Sequence, residues 1–264
     1  MGRIPISVCV ISFEEEDRLG DSLASATFAG ELLVDYSHSK DRTREVAARA
    51  GARVIERDWP GHVAQKEFAI RAARNDWVLC LDADERVSPP LRDEVEALLD
   101  RGPGDAAGFS IPRRTNYLGR WVRHGGFAGE AKVRLFDRRR GRWAGTDPHD
   151  RVEVDGPLRS LRGAILHFPY RDLAEHLATI ESYTEIMSRE MAKRGRRAGP
   201  LAPPLHGLAR FIRFYLLRAG FLDGGTGLHL ARLAARYGYL KYAKLRALSR
   251  RGEAPPLPRG SPPG

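Results

Sequence analysis

The sequence predicts an α/β protein: a mostly parallel sheet flanked by helices, with a C-terminal helical appendage. Over residues 1–100, short apolar runs rich in β-branched residues alternate with helical segments of about ten residues. From Gly108 to His167 the texture changes to brief β-like runs between Gly- and Arg-rich turns. Residues 201–251 then switch to a helical period and hold ten Lys or Arg against one acid, Asp223.

Ile4–Ser12 reads as the first strand and Asp17–Ala26 as a short helix. Glu31–Asp35 is a second apolar strand, followed by a polar turn and a helix over Asp41–Ala50 that Gly51 ends. Ala52–Ile55 makes a third strand, Val63–Ala73 a helix, and Trp77–Leu81 a fourth strand running straight into acids. Pro89–Leu99 is helical again. Near-continuous apolar strands of this kind belong in a parallel sheet covered on both faces. In the middle, Gly108–Pro112, Lys132–Phe136, Arg151–Val154 and Ala164–His167 read as antiparallel additions to that sheet.

Asp172–Lys193 has a helical pattern, and a basic, Pro-containing link (Arg194–Pro204) leads to two further helices. In Gly207–Ala219, Leu208, Phe211, Ile212 and Tyr215 stand at i, i+3, i+4, i+7. In Gly227–Arg250, Leu230, Leu233, Ala234 and Tyr237 stack with arginines between them. The Pro- and Gly-rich tail, residues 251–264, reads as disordered.

A chain of 264 residues suits one large domain with an appendage, and its 42% hydrophobic content excludes wholesale disorder. Cys9 and Cys80 sit inside apolar strands, as core thiols of a reducing compartment rather than a disulfide framework or a metal site. The N-terminus lacks the apolar stretch and cleavage site of a signal peptide. No run approaches the roughly 20 apolar residues that span a bilayer, so the expected location is the cytoplasm. The charge of +10, concentrated at the C-terminal end, suggests a polyanionic partner: an anionic membrane or nucleic acid.

The motif that carries chemistry is Leu81-Asp82-Ala83-Asp84-Glu85, directly after an apolar strand. The carboxyl ends of parallel strands are where open α/β sheets bind ligands. One residue apart, Asp82 and Asp84 point to the same side of an extended chain. Together they can hold a hard divalent cation, Mg2+ or Mn2+, that neutralises a diphosphate.

These residues carry a resemblance. From Ile4 to Leu99 the chain resembles the nucleotide-sugar-binding half of glycosyltransferase family 2, which has the GT-A (Rossmann-like) fold. The parts fall in order: SFEEEDRLGDSLAS, LLVDYSHSKDRT, WPGHVAQKEFAIRAA, then NDWVLCLDADERV. HGGFAGEAKVRLFDRRRGRWAGTDPHDRVEV, ILHFPYRDLAEHL and FYLLRAGFLDGGTGLHLARLAARYGYLKYAKL are similar to the lipopolysaccharide-core subgroup.

The resemblance implies residues 1–193 as the GT-A domain, with a nucleotide-sugar half (1–100) and an acceptor half (101–193). A basic amphipathic extension follows over 205–250. It implies inverting transfer of a hexose from a UDP-sugar, UDP-glucose or a relative, to a lipid-linked glycan. Ser12, Phe13 and Glu15 would border the nucleobase, with Asp35 and Asp41 near the nucleoside. Lys66 would lie near the phosphates, with Asp82 at the ribose and metal, Asp84 at the metal and Arg134 near phosphate. Asp150, with His149 beside it, is the first choice for the base that deprotonates the acceptor, and Glu130 the second. Three positions depart from the family pattern: Glu14 and Glu67 where Asn is usual, and Tyr36 where an acid is, with Asp35 one place earlier.

His124-Gly125-Gly126 would let backbone approach a sugar, and Trp121, Phe127 and Trp143 could stack on sugar faces. The C-terminal helices set aromatic and leucine residues beside arginines, as interfacial helices do, placing the protein peripherally on the inner face of the cytoplasmic membrane. A nucleic-acid partner is not expected, because no recognition helix, zinc spacing or RNP-like strand is present. A non-catalytic nucleotide-sugar-binding relative is the other alternative. No Walker loop or G-x-G-x-x-G follows a strand, which excludes the usual nucleotide triphosphatases and dehydrogenases.

Overall fold

Strand β1 (Ile4–Ser12) is buried along nearly its whole length because successive side chains enter two different cores. Ile6, Val8 and Val10 join one apolar cluster and Cys9 the other, as alternation across a central strand requires. A computed structural model describes residues 4–129, 131–146 and 149–251. Glu130 and the tail from Gly252 lie outside the described residues.

After β1 come α1 (Leu19–Ala24), β2 (Ala29–Tyr36), α2 (Thr43–Arg49), β3 (Arg53–Glu56), α3 (His62–Ala72) and β4 (Trp77–Asp82). Then follow β5 (Glu85–Val87), α4 (Pro89–Arg101), β6 (Gly108–Ile111), β7 (Arg113–Tyr117) and β8 (Arg120–Val122). Strands β9 (Lys132–Asp137), β10 (Gly141–Thr146), β11 (His149–Val154), β12 (Leu158–Ser160) and β13 (Ile165–His167) come next. Helices α5 (Leu173–Lys193), α6 (Ala202–Ile212) and α7 (Gly224–Arg251) follow, with a π-helical turn, Arg213–Leu217, continuing α6.

Within the described residues the chain divides into two compact units, 4–114 with 129–167, and 115–128 with 168–251. Helix α5, which the sequence reading places in the 1–193 domain, groups with the C-terminal helices.

The first unit is built on a seven-stranded sheet of order β12-β6-β9-β4-β1-β2-β3. Pairings β4–β1, β1–β2, β2–β3 and β12–β6 are parallel, while β9 runs antiparallel between β4 and β6. The middle region therefore adds antiparallel elements to a parallel sheet, as its sequence texture predicts. Two smaller pairings complete the unit: the β10–β11 hairpin and the antiparallel β5–β13 pair. Helix α4 starts where its sequence says it should. Ser88 Oγ accepts from Leu91 N at 3.3 Å, Pro occupies the first turn, and Gly102 closes the end with φ 83°.

In the second unit, β8 folds back on the second half of β7 through Leu118 and Gly119, whose φ of 49° and 85° make the tight mirror-image turn that hairpin twist favours. Tyr117, Val122, Ile180, Leu230 and Leu233 form its core. Helices α6 and α7 cross closely at Gly238, where a Cβ would come within 2.8 Å of the His206 carbonyl oxygen. No helix among the described residues is long and apolar enough to cross a membrane.

Candidate active site

The carboxyl end of β4, the start of β5, one face of α3, the first residue of β7, strand β9 and the β10–β11 hairpin bring six charged side chains into one line of alternating sign. Asp150 Oδ2 accepts from Lys66 Nζ at 2.8 Å, and the same ammonium lies 2.9 Å from Asp82 Oδ1. The other Asp82 oxygen accepts from Arg134 Nη2 at 3.0 Å. Arg134 also donates to Glu85 at 3.3 Å, and Arg113 lies 3.6 Å from that same Glu85 oxygen. Glu85 Oε2 turns back to accept the Asp82 amide at 3.1 Å, which fixes the turn between the two strands. Trp143 floors the cluster, with Lys66 Nζ 4.6 Å and the Arg134 guanidinium 5.7 Å from its ring centre.

Burial alone would raise the Asp82 pKa, but the Lys66 ammonium and the Arg134 guanidinium outweigh it and hold the carboxyl well below its usual range. Burial likewise works against charge on Lys66, and Asp82 and Asp150 overcome it. Arg134 is pushed upward because Glu85 and Asp82 outweigh its own desolvation. Below them, burial pushes the Cys80 thiol up to about 12, which makes it an inert core group.

A second feature stands at the ends of β1 and β2. Asp35 is fully buried at the register position opposite Ile11, and neither of its carboxylate oxygens has a hydrogen-bond partner. Burial raises its pKa to about 7, with Arg57 opposing only in part. The Ser12 and Ser37 hydroxyls beside it are also buried and unpartnered. Glu31, at the start of the same strand, shows the ordinary solution: it accepts from Ser7 Oγ at 2.5 Å, Arg74 N at 2.7 Å and Arg53 Nε at 2.9 Å. The large majority of buried polar groups in folded proteins are hydrogen-bonded, to protein or to water, so each unpaired one asks for a reason.

The loops above these strands are held by Asp41. It accepts from Thr43 N at 3.0 Å, Thr43 Oγ1 at 2.6 Å and Glu16 N at 3.0 Å, tying the loop after β2 to the loop after β1. Glu15 donates its amide to Thr43 Oγ1 at 3.0 Å, and its carboxylate lies 3.7 Å from Arg18. Phe13 is half-buried between Ser12 and Glu14.

The structure gives two of the three departures a reason, and Glu14 is the strained exception. Glu14 has φ 53°, a left-handed conformation that Asn adopts far more readily. Tyr36 is 3% exposed and belongs to the apolar core. Glu67 accepts the Trp143 amide at 2.8 Å and Arg71 Nε at 2.7 Å, which anchors β10 to α3.

Asp84 does not join Lys66; it faces His167, whose Nε2 lies 3.2 Å from Asp84 Oδ2. The β5–β13 pairing, with His167 opposite Glu85, creates this meeting. A carboxylate and an imidazole facing each other suit a divalent cation that takes its remaining ligands from a diphosphate. No group of three or more His, Cys, Asp or Glu suited to a metal occurs among the described residues.

Sequence reasoning missed His167 and Arg113, and it named Glu85 only as the last acid of the motif, with no role of its own. His167 is separated from Asp84 by more than eighty residues, and a β-pairing that only three short residues on each side define gives no periodic signal. His149 opens β11 one residue before Asp150, and Glu130 lies outside the described residues.

In the second unit Trp121 is 48% exposed, whereas Phe127 packs against Tyr117, Tyr170 and His176. The glycine at 126 is required by Phe214, whose ring would lie 1.6 Å from a Cβ there, and His124 Nδ1 pairs with Asp223 at 3.1 Å. The close backbone approach expected of His124-Gly125-Gly126 is thus to this unit's own aromatic ring. Trp143 is 6% exposed and faces two cations in the first unit.

A mostly parallel α/β sheet with an alternating charge network and buried polar groups gathered at its carboxyl strand ends defines an α/β protein whose ligand-binding end is that one. The chain belongs to glycosyl transferase family 2, whose model matches residues 7–157. It is similar to the lipopolysaccharide core biosynthesis glycosyltransferase LpsC of Rhizobium meliloti, at 26% identity over 91% of this chain and 94% of that one. The uncharacterized glycosyltransferase RT0209 of Rickettsia typhi is 29% identical, with 92% and 87% covered. Among solved structures, residues 1–349 of TarS from S. aureus, in complex with UDP-GlcNAc, match with a TM-score of 0.50 at 14% identity, covering 96% and 93%. That likeness is one of fold. The protein is a glycosyltransferase with a GT-A-like sheet, and what it transfers, and to what, is the next question.

Proposed function

We propose that the enzyme is an inverting glycosyltransferase that moves a hexose, glucose first among candidates, from a UDP-sugar to a lipid-linked glycan of the cell envelope. The acceptor part of this reading rests on the similarity to a lipopolysaccharide-core enzyme. The observation that carries it is the sharing of Lys66 between Asp82 and Asp150.

The orphaned Asp35 carboxyl, with Ser12 and Ser37, fits the polar edge of a nucleobase, and Phe13 and Glu15 border it from the loop above. Asp41 positions that loop and the one after β2. When a diphosphate arrives, Lys66 has a stronger anion to pair with, and Arg134 is ready beside it. Withdrawal of Lys66 releases Asp150, which is 18% exposed at its side chain, to take the proton of the acceptor hydroxyl. In that single displacement the acceptor oxygen bonds to the anomeric carbon as the bond to the diphosphate breaks, inverting the centre.

Asp84 and His167 would hold the Mg2+ or Mn2+ ion, which when bound supplies positive charge to the leaving diphosphate. The sequence candidates His149 and Glu130 remain proposals for assisting Asp150. An acceptor in the inner leaflet suits a peripheral position on an anionic membrane surface.

Calorimetry of UDP with and without Mn2+, on wild type and Asp84→Ala, tests the donor site. Metal-dependent binding that Asp84→Ala abolishes is expected. Equal binding by Asp84→Ala, or none by wild type, would overturn the reading. Hydrolysis of a UDP-hexose series then ranks the sugar.

A further inference from the structure

The second unit holds a cavity of about 410 Å³ whose lining includes His206, Arg210, Arg213, Phe214, Arg218 and Lys241 and contains no carboxylate. Where α5 meets α7, cations are paired: Lys244 lies 2.7 Å from Glu181 and 3.6 Å from Glu185, and Arg189 lies 2.6 Å from Glu185. Around the cavity they are not. Among the described residues no acid pairs with Arg210, Arg213, Arg218 or Lys241. The one acid of residues 201–251, Asp223, is occupied by His124 and by the amides of Arg123 and His124.

Arg210 Nε is buried without a partner, and its guanidinium is held in place by the faces of Tyr237 at 4.4 Å and Phe214 at 5.3 Å. Burial, with Arg210 and Arg196 nearby, pushes the Lys241 ammonium below its usual value. Converging cations that aromatic rings hold fixed, with desolvated donors unmet, make a site for a compact anion, and arginine forks suit phosphate in particular.

The same helix supplies a second observation. Leu201, Leu205, Leu208, Ile212 and Leu216 recur at helical spacing along α6 and its π-helical continuation, and they are exposed, Leu205 at 60% and Leu208 at 57%. Leu217, at 77%, and Leu222 extend the ridge. A run of exposed leucines on a soluble surface marks a docking face, and beside an acid-free cationic cavity it matches the two halves of a lipid.

We propose that this cavity binds the phosphate headgroup of an anionic membrane lipid while the leucine ridge of α6 enters the acyl boundary. This deepens the membrane-surface reading above by assigning a defined headgroup site, where a diffuse basic face would have sufficed. It does not depend on the donor cleft.

The test is sedimentation of the full chain with phosphatidylcholine vesicles, with and without phosphatidic acid. Wild type should bind the phosphatidic acid vesicles. Arg213→Gln/Lys241→Gln should weaken that binding roughly twenty-five-fold, each basic residue at an anionic surface being worth a factor of about five. Arg232→Gln/Arg236→Gln removes the same charge from exposed positions of α7 outside the cavity lining and should weaken it less than about two-fold. If both double variants lose equally, binding is to a diffuse basic face and the headgroup site is refuted. If inorganic pyrophosphate binds through Arg213 and Lys241 while vesicles fail to sediment the protein, the cavity takes a soluble phosphate and the lipid assignment falls. Metal-dependent UDP binding, scored on the same preparations, shows whether each variant is folded and reports on the donor reading separately.

Discussion

The two units each gather arginine and lysine in one place, yet they treat the charge in opposite ways. In the first, three cations alternate with three carboxylates, and every member touches a partner of opposite sign. In the second, four cations line a cavity with no acid among them. A neutralised network keeps its geometry when empty and can exchange one internal anion for an incoming phosphate, as transfer followed by product release requires. An unneutralised cavity stores repulsion that an occupant relieves, which suits retention at a surface. Charge pairing thus separates a site that must turn over from one that must hold.

The strongest way to break this contrast is to remove the shared cation. Lys66→Met would leave Asp150 partly buried with its lysine gone and Asp82 with Arg134 alone. Deleting one partner of a buried pair typically costs about 3–5 kcal/mol. We expect a loss of that order by urea denaturation, together with loss of UDP binding. A variant as stable as wild type would show that the network is not the pre-organised element argued for.

Next in size is Asp35, the exception inside the first unit. Its folded pKa, about 7, lies above the usual 3.8, so stability declines as pH rises from about 4 through 7 and stays low above that. Asp35→Asn keeps the shape without the charge. At pH 8 it should stabilise the protein by up to ~4 kcal/mol, at pH 4 by little, and it should weaken UDP binding. Matching unfolding curves at pH 8 would remove the case for a carboxyl that waits on a ligand.

How far this contrast was legible in the sequence depends on chain separation. The β1-to-β4 half was readable because apolar runs, turns and ten-residue helices alternate there, and Asp82 and Asp84 close a strand within that local pattern. Arg134, Lys66 and Asp150 could be named through the family resemblance, but not joined. Their meeting needs β9 to enter antiparallel between β4 and β6, and no local period encodes that register. Strands β5, β7, β8, β10 and β12 escaped because short Arg- and Gly-rich segments carry no two-residue alternation. The cationic cavity was half legible: the charge of residues 201–251 was plain, but the distinction between unpaired Arg210 and paired Lys244 depends on which helix face meets α5.

A milder intervention, acid, should change the stability of the two units in opposite directions. In the second unit His176 is 4% exposed, stacked on Tyr170 at 3.9 Å, with Tyr117 Oη 3.1 Å from its Nδ1. Burial, aided by His229, lowers its pKa from 6.5 to about 4. A base whose folded pKa is depressed stabilises fully above the unfolded value and loses that contribution as pH falls from 6.5 toward 4, here by about 3 kcal/mol. Over the same interval Asp35 takes up a proton that its folded site favours, so the first unit gains. Local stability differs between parts of one chain and can be read segment by segment. Hydrogen exchange between pH 7 and pH 4.5, corrected for intrinsic rates, should therefore show α5 losing protection while β1 and β2 hold or gain it. His176→Gln, which keeps a hydrogen-bonding group but cannot be protonated, should abolish the loss in α5 and leave the sheet unchanged. If α5 and the sheet lose protection together, or the variant follows wild type, acid acts on the protein as a whole and the opposed titration of the two units is wrong.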